Sequence, residues 1–223
     1  THTGGSTIRV EIKKLCRDYG LSCWESQGSH GKTVDAAIKQ KKHIDIMYGH
    51  FLFEHDKIKR ILDDPVFMFT VVTDAWSVAR SSYFHHKHTC KSEICSSLTP
   101  AEFVRRTYPD GMMKHVSRLS GLKPTATKKK MCSASLSNLK YFDLIMDKQT
   151  LQHGGGMQFL VEMIQGLFET EGRKFEASDV RDSNILSRGR DFDVPEEVKE
   201  AFMNKSACHT RMYFAATQLQ TYM

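Results

Sequence analysis

The segment Val66–Thr73 (VFMFTVVT) constrains the fold more than any other stretch of the chain. Nearly every residue in it is β-branched or aromatic. Such a run reads as a strand buried on both faces, the mark of a parallel sheet covered by helices. Asp74–Phe84 follows with a helical pattern. Upstream, Ile8–Tyr19 has apolar residues at 8, 12, 15 and 16 and is stopped by Gly20, which is the spacing and the stop of a helix. Leu21–Trp24 and His43–Met47 read as short strands, and Phe51–Leu62 holds a short helical pattern closed by Asp63-Asp64-Pro65. Strand and helix alternate, so the expected class is α/β with a parallel sheet.

In the second half, Thr99-Pro100 reads as an N-cap followed by proline at the first helical position. Lys123–Ser137 is basic and rich in Ser and Thr, and is expected to be mobile. Tyr141–Met146 (YFDLIM) is a second strand candidate, Met157–Phe168 an amphipathic helix, and Pro195–Tyr222 one long terminal helix. Arg173–Asp193 is polar and irregular. The 223 residues suit one domain with a sizeable core. The longest purely apolar runs are a few residues, far below the ~20 of a membrane span. No signal peptide is legible, and an upstream leader or anchor is left open.

Thirty-two Lys and Arg against 26 Asp and Glu give a net charge of +6. The excess favours an anionic partner or is simply a mild surplus on a chain this long. Neither a helix-turn-helix nor aromatics interleaved with the basic runs is present, so nucleic acid is not expected as a partner. Six cysteines occur without a CxxC. Cys90 and Cys95, near His85, His86 and His88, could form a zinc site, a local disulfide or a pair of free thiols. The spacing fits no structural-zinc pattern, so no metal is assigned.

Three short elements carry the chemistry. Gly4-Gly5-Ser6-Thr7 precedes a helix, where backbone amides and the helix dipole favour an anion; it is equally readable as an ordinary capped turn. The G-x-x-x-x-G-K-[ST] spacing is absent, and position 2 holds His where a phosphate-binding Lys would stand. Tyr48-Gly49-His50 ends a strand, and His50 is either a general base or a structural cap. Thr73-Asp74 ends the buried strand and leads to Arg80-Ser81-Ser82-Tyr83. Ligands of parallel sheets sit beyond the C-terminal strand ends, which would gather these elements on one rim.

The string YGHFLF…DDPVFMFTVVTDAWSVARSSYFHHK resembles the core of the heparan sulfate/uronyl 2-O-sulfotransferases. That family has a P-K-T-[GA]-S-T turn, a G-H motif, and a strand followed by R-D-P and a helix carrying Ser before Tyr-Tyr, in this order. YFDLIMDKQTLQHGGGMQFLVEMIQGLF and SNILSRGRDFDVPEEVKEAF resemble later parts, so the likeness spans most of the chain and is weakest over 88–137. It implies a P-loop-like three-layer sandwich, a central parallel sheet flanked by helices, forming a single sulfotransferase domain over 1–223. The implied activity is sulfuryl transfer from 3′-phosphoadenosine-5′-phosphosulfate (PAPS) to a hydroxyl on a sugar or polysaccharide, leaving 3′-phosphoadenosine-5′-phosphate (PAP).

The resemblance also implies roles. Thr3, Gly4, Gly5, Ser6 and Thr7 would hold the phosphosulfate, Ser81 with Arg80 the 3′-phosphate, and Ser187, Arg188 and Arg190 the loop over the adenosine. His50 would take the acceptor proton. The family's turn Lys is His2 here, which could steady the leaving phosphate when protonated. The family's Arg before Asp-Pro is Thr73, and its Pro is Ala75. The Golgi lumen is the implied setting in a eukaryote, as the catalytic domain of a type II membrane protein, and a homo-oligomer is left open. Two other readings stand beside this one. One is a P-loop-type nucleotide kinase using Asp74 for Mg²⁺. The other is a non-catalytic polyanion-binding module.

Overall fold

The computed structural model describes residues 5–26, 34–40, 43–49, 51–62, 66–89, 97–123, 125–153, 156–168 and 191–220. It is mostly helical with two small parallel sheets, which places it in the α/β class in a loose sense. The elements run α1 (Gly5–Tyr19), β1 (Cys23–Ser26), α2 (Val34–Gln40), β2 (Ile46–Gly49), α3 (His55–Lys59), β3 (Phe69–Val72) and α4 (Ala75–Thr89). They continue with α5 (Pro100–Thr107), α6 (Met113–Ser120), α7 (Lys128–Asn138), β4 (Leu144–Asp147), α8 (Lys148–His153), α9 (Gly156–Phe168), α10 (Glu196–Lys205) and α11 (Ala207–Gln220).

β1 pairs with β2 in parallel, Cys23 opposite Ile46 and Ser26 opposite Gly49. β3 pairs with β4 in parallel, Phe69 opposite Leu144 and Val72 opposite Asp147. Side chains alternate between faces along a strand, and the core obeys that period. Leu144 and Met146 of β4 pack with Ile8, Ile12 and Leu15 of α1 and with Leu160, Val161 and Ile164 of α9. Ile145, between them, packs with Met212 and Ala216 of α11. In β2, Tyr48 joins the α1–α9 core, and Ile46 lies against it. One helical layer, α1 with α9, therefore covers one face of both sheets.

The polarity of α1 is fixed by its ties to β1. A disulfide joins Cys16, late in the helix, to Cys23 at the start of the strand. Arg9, early in the helix, forms an ion pair with Glu25 near the strand's end. So α1 runs antiparallel to β1 and β2, and its N-terminus lies at their C-terminal end.

Several expectations need correction. The run 66–73 suggested burial on both faces, yet Phe69, Thr70 and Val71 are only partly buried. Among the described residues, β3 pairs on one side only. The segment expected to be mobile, 123–137, contains α7. Thr127 caps that helix by accepting from the Lys130 amide, and a Cys132–Cys208 disulfide ties it to α11. The expected terminal helix breaks at Ser206, whose amide turns back to the carbonyls of Phe202 and Met203. Thr99 caps α5 as expected, within a reciprocal box with Glu102. Cys90 and Cys95 lie outside the described residues.

Candidate functional site

At the C-terminal end of β1 and β2, the start of α1 meets a closed charge cluster. Arg9 pairs with Glu25, Lys13 Nζ lies 3.0 Å from the same carboxylate, and the Tyr48 hydroxyl donates to it at 3.5 Å. Burial and the Glu25 charge push Tyr48 up to about 12, so the phenol keeps its proton. The first turn of α1 carries no acidic residue. Its positive dipole end thus faces the rim without a carboxylate in that turn to neutralise it.

β2 ends at Gly49, whose φ is +117°. A Cβ built there would lie 2.6 Å from the Ser26 carbonyl oxygen. Only glycine suits both the dihedral and the close approach of β1. The Tyr-Gly-His sequence owes its middle residue to this crossing of backbones.

A cavity of about 430 Å³ lies between β2 and β3. Ile46, Tyr48, Phe69 and Val71 contribute to its walls, together with Ile8 and Arg9 of α1 and Ile164 of α9. Other lining residues, His115, Arg118, His209 and Met212, come from α6 and α11. His209 is 4% exposed, and its Nδ1 has no hydrogen-bond partner among the described residues. Its ring stands edge-on to His115 at 5.9 Å. Burial pushes its pKa down to about 4, against a smaller opposing pull from Asp74, so it is neutral at pH 7. Burial also lowers the Arg118 pKa.

The two carboxylates ending the other sheet are engaged. Asp74 Oδ1 accepts from the Ser77 amide at 2.8 Å and caps α4. Asp147 accepts from the Gln149 amide at 3.0 Å and from the Tyr213 hydroxyl at 3.3 Å. Among the described residues, no group of three or more His, Cys, Asp or Glu is placed to hold a metal ion.

Of the residues singled out in the sequence, Gly5, Ser6 and Thr7 form the first turn of α1 at this rim. Thr73 is buried directly after β3 and lines the cavity. Ser81 is buried in α4, and Arg80 beside it is exposed. Successive helical residues do not share a face. Ser81 lies about 9 Å along the helix axis from Ala75, at 1.5 Å per residue. His2, Thr3, Gly4, His50, Ser187, Arg188 and Arg190 lie outside the described residues. Gly49 and Phe51, which flank His50 in sequence, both line the cavity. His209, Arg118 and Tyr213 were not singled out. His209 shares a helical face with Met212 and Ala216, three and seven residues on, and that spacing alone does not show that the face borders a cavity.

No protein-family model matches the chain, and no curated protein matches its sequence. Among the described residues, no helix is long and apolar enough to cross a membrane.

Proposed function

We propose that this chain is a sulfotransferase domain that moves a sulfuryl group from PAPS to a sugar hydroxyl, on a three-layer sandwich whose central sheet is parallel. One observation carries the reading: Gly5-Ser6-Thr7 open α1 at the C-terminal end of the parallel strands β1 and β2. Helix N-termini at such strand ends favour phosphate and sulfate groups. The order of motifs adds the family resemblance. The α1–α9 layer over one face of both sheets supports a single interrupted sheet with helices on both sides.

In this reading Gly5, Ser6 and Thr7 receive the phosphosulfate end of the donor. His50, following Gly49, removes the acceptor proton as the hydroxyl oxygen attacks sulfur. The S–O bond to the phosphate breaks in line, and PAP leaves with the electron pair. Catalysis then rests on positioning and on stabilising charge as it moves to the leaving phosphate. The Cys16–Cys23 and Cys132–Cys208 disulfides fit an oxidising compartment such as the Golgi lumen.

The kinase reading depends on Asp74, whose Oδ1 is spent as the α4 cap. Thermal shift separates the two. PAP is expected to raise Tm by several degrees without metal, with ATP-Mg²⁺ leaving it unchanged. The opposite pattern favours the kinase, and a response to neither, with salt-sensitive binding of polyanions, favours a binding module.

A further inference from the structure

The cavity between β2 and β3 is built like a small-molecule site, with apolar walls and a few polar groups. Phe51, Phe53, Met68, Phe69 and Phe142 are among its apolar lining. The wall made by α6 and α11 is different. His115 and Arg118 lie three residues apart on one face of α6, and His209 comes from α11. Among the described residues, the lining carries three formal charges, on Arg9, Asp45 and Arg118. Two of them are answered. Arg9 pairs with Glu25, and Asp45 accepts from the Ser22 amide at 2.6 Å and lies 2.7 Å from His43 Nε2. The Arg118 guanidinium has no hydrogen bond or ion pair among the described residues. Burial alone lowers its pKa, with no acid pulling the other way. Its carbonyl accepts from the Phe53 amide at 2.8 Å, which anchors this turn of α6 against the apolar wall.

A guanidinium keeps its charge in proteins, so a half-buried one carries a desolvation cost that an anion offsets. His209 adds a second unanswered group, the Nδ1 of a ring that is 4% exposed. Buried polar groups of this kind call for a partner. We infer that the cavity binds a small amphipathic carboxylate, with Arg118 as the ion partner of its head, the His115–His209 pair as the polar wall beside it, and an aliphatic or aryl body between β2 and β3.

Charge selects the head. One cation without a partner balances one negative charge, and the guanidinium fork matches a carboxylate with two parallel hydrogen bonds. His209 is neutral at pH 7, so it adds a hydrogen-bonding group and not the second charge that a phosphate dianion needs. Volume and polarity select the body. The space is about 430 Å³. At ~30 Å³ per heavy atom, the share of a water molecule in the liquid, it takes about a dozen heavy atoms. Its apolar walls suit hydrocarbon and leave the hydroxyls of a sugar without partners. The inference rests on this wall and not on sulfuryl transfer, so either can fail alone.

Calorimetry on the chain 1–223 tests it with decanoate as the probe, held below its micelle concentration. Decanol supplies the body without the charge, acetate the charge without the body, and decyl phosphate a doubly charged head. Decanoate is expected to bind one per chain, at least about tenfold more tightly than any of the three. Arg118→Met keeps the length and the apolar stem, and is expected to weaken decanoate by about tenfold or more while leaving decanol unchanged. Arg118→Lys recovers part of that loss. The comparison of the four probes uses the wild type alone and holds even where a variant fails to fold. Equal affinity for decanoate and decanol, no binding of decanoate, tighter binding of decyl phosphate, or full decanoate affinity in Arg118→Met overturns the inference. One-to-one binding of decanoate by a chain that does not bind PAP supports this site and contradicts only the donor reading.

Discussion

At the residue scale, Gly49 and His209 show how single positions shape this rim. Gly49→Ala forces a Cβ to within 2.6 Å of the Ser26 carbonyl at a φ of +117°. A side chain in that backbone region costs about 1–3 kcal/mol, so urea unfolding of the variant is expected to show a loss of that order. An unchanged midpoint would mean that β1 and β2 do not cross as described. His209 makes stability depend on pH. An unfolded imidazole titrates near ~6.5, whereas the buried one stays neutral until about pH 4. Between those values the unfolded chain binds the extra proton, so stability falls as pH drops. From pH 7 to pH 5 the loss assigned to this group is about 1–2 kcal/mol. Denaturation of the wild type and His209→Gln at both pH values checks it: the variant's pH dependence is expected to be smaller by that amount.

At the scale of elements, the Cys132–Cys208 bridge matters more than the Cys16–Cys23 bridge. It closes a separation of 76 residues, against 7 for the other. Loop-closure entropy makes the long bridge worth about 4 kcal/mol and the short one about 2–3 kcal/mol. Cys132→Ser with Cys208→Ser is expected to lower Tm more than Cys16→Ser with Cys23→Ser; the reverse order in a thermal melt contradicts the packing of α7 on α11. The same bridge explains one limit of the sequence. Lys123–Ser137 reads as mobile because its composition is polar, but partnership with a cysteine 76 residues away is not written locally. Local signals were legible: the Thr99 cap, the Gly20 stop, and the strands around Val71 and Ile145. The break at Ser206 was not, because it is set by tertiary contact. The backbone at Lys205 comes so near Gly111 that a Cβ there would lie 2.6 Å from it. At the candidate site, Gly5–Thr7 read as a turn ahead of a helix beginning at Ile8, whereas they form the first turn of α1 itself, and Gly49 read correctly as lying at a strand end. His209 and Arg118 were not legible, since a lone polar residue in a helix pattern gives no sign of facing a cavity.

At the scale of the whole molecule, the parallel strands β1 and β2, ending at Ser26 and Gly49, and the start of α1 meet on one rim, and the proposed chemistry adds His50 to it. The direct measurement is transfer of labelled sulfuryl from PAPS to a panel of desulfated glycosaminoglycans, by the wild type and by His50→Ala, with PAP affinity measured by calorimetry on both. A positioned base contributes ~10²–10⁴-fold. The account predicts metal-independent transfer to at least one acceptor by the wild type, a loss of at least ~100-fold in His50→Ala, and PAP affinity within about twofold between them. A wild type that binds neither PAP nor PAPS and transfers nothing, or a His50→Ala protein with near-normal turnover, would contradict it.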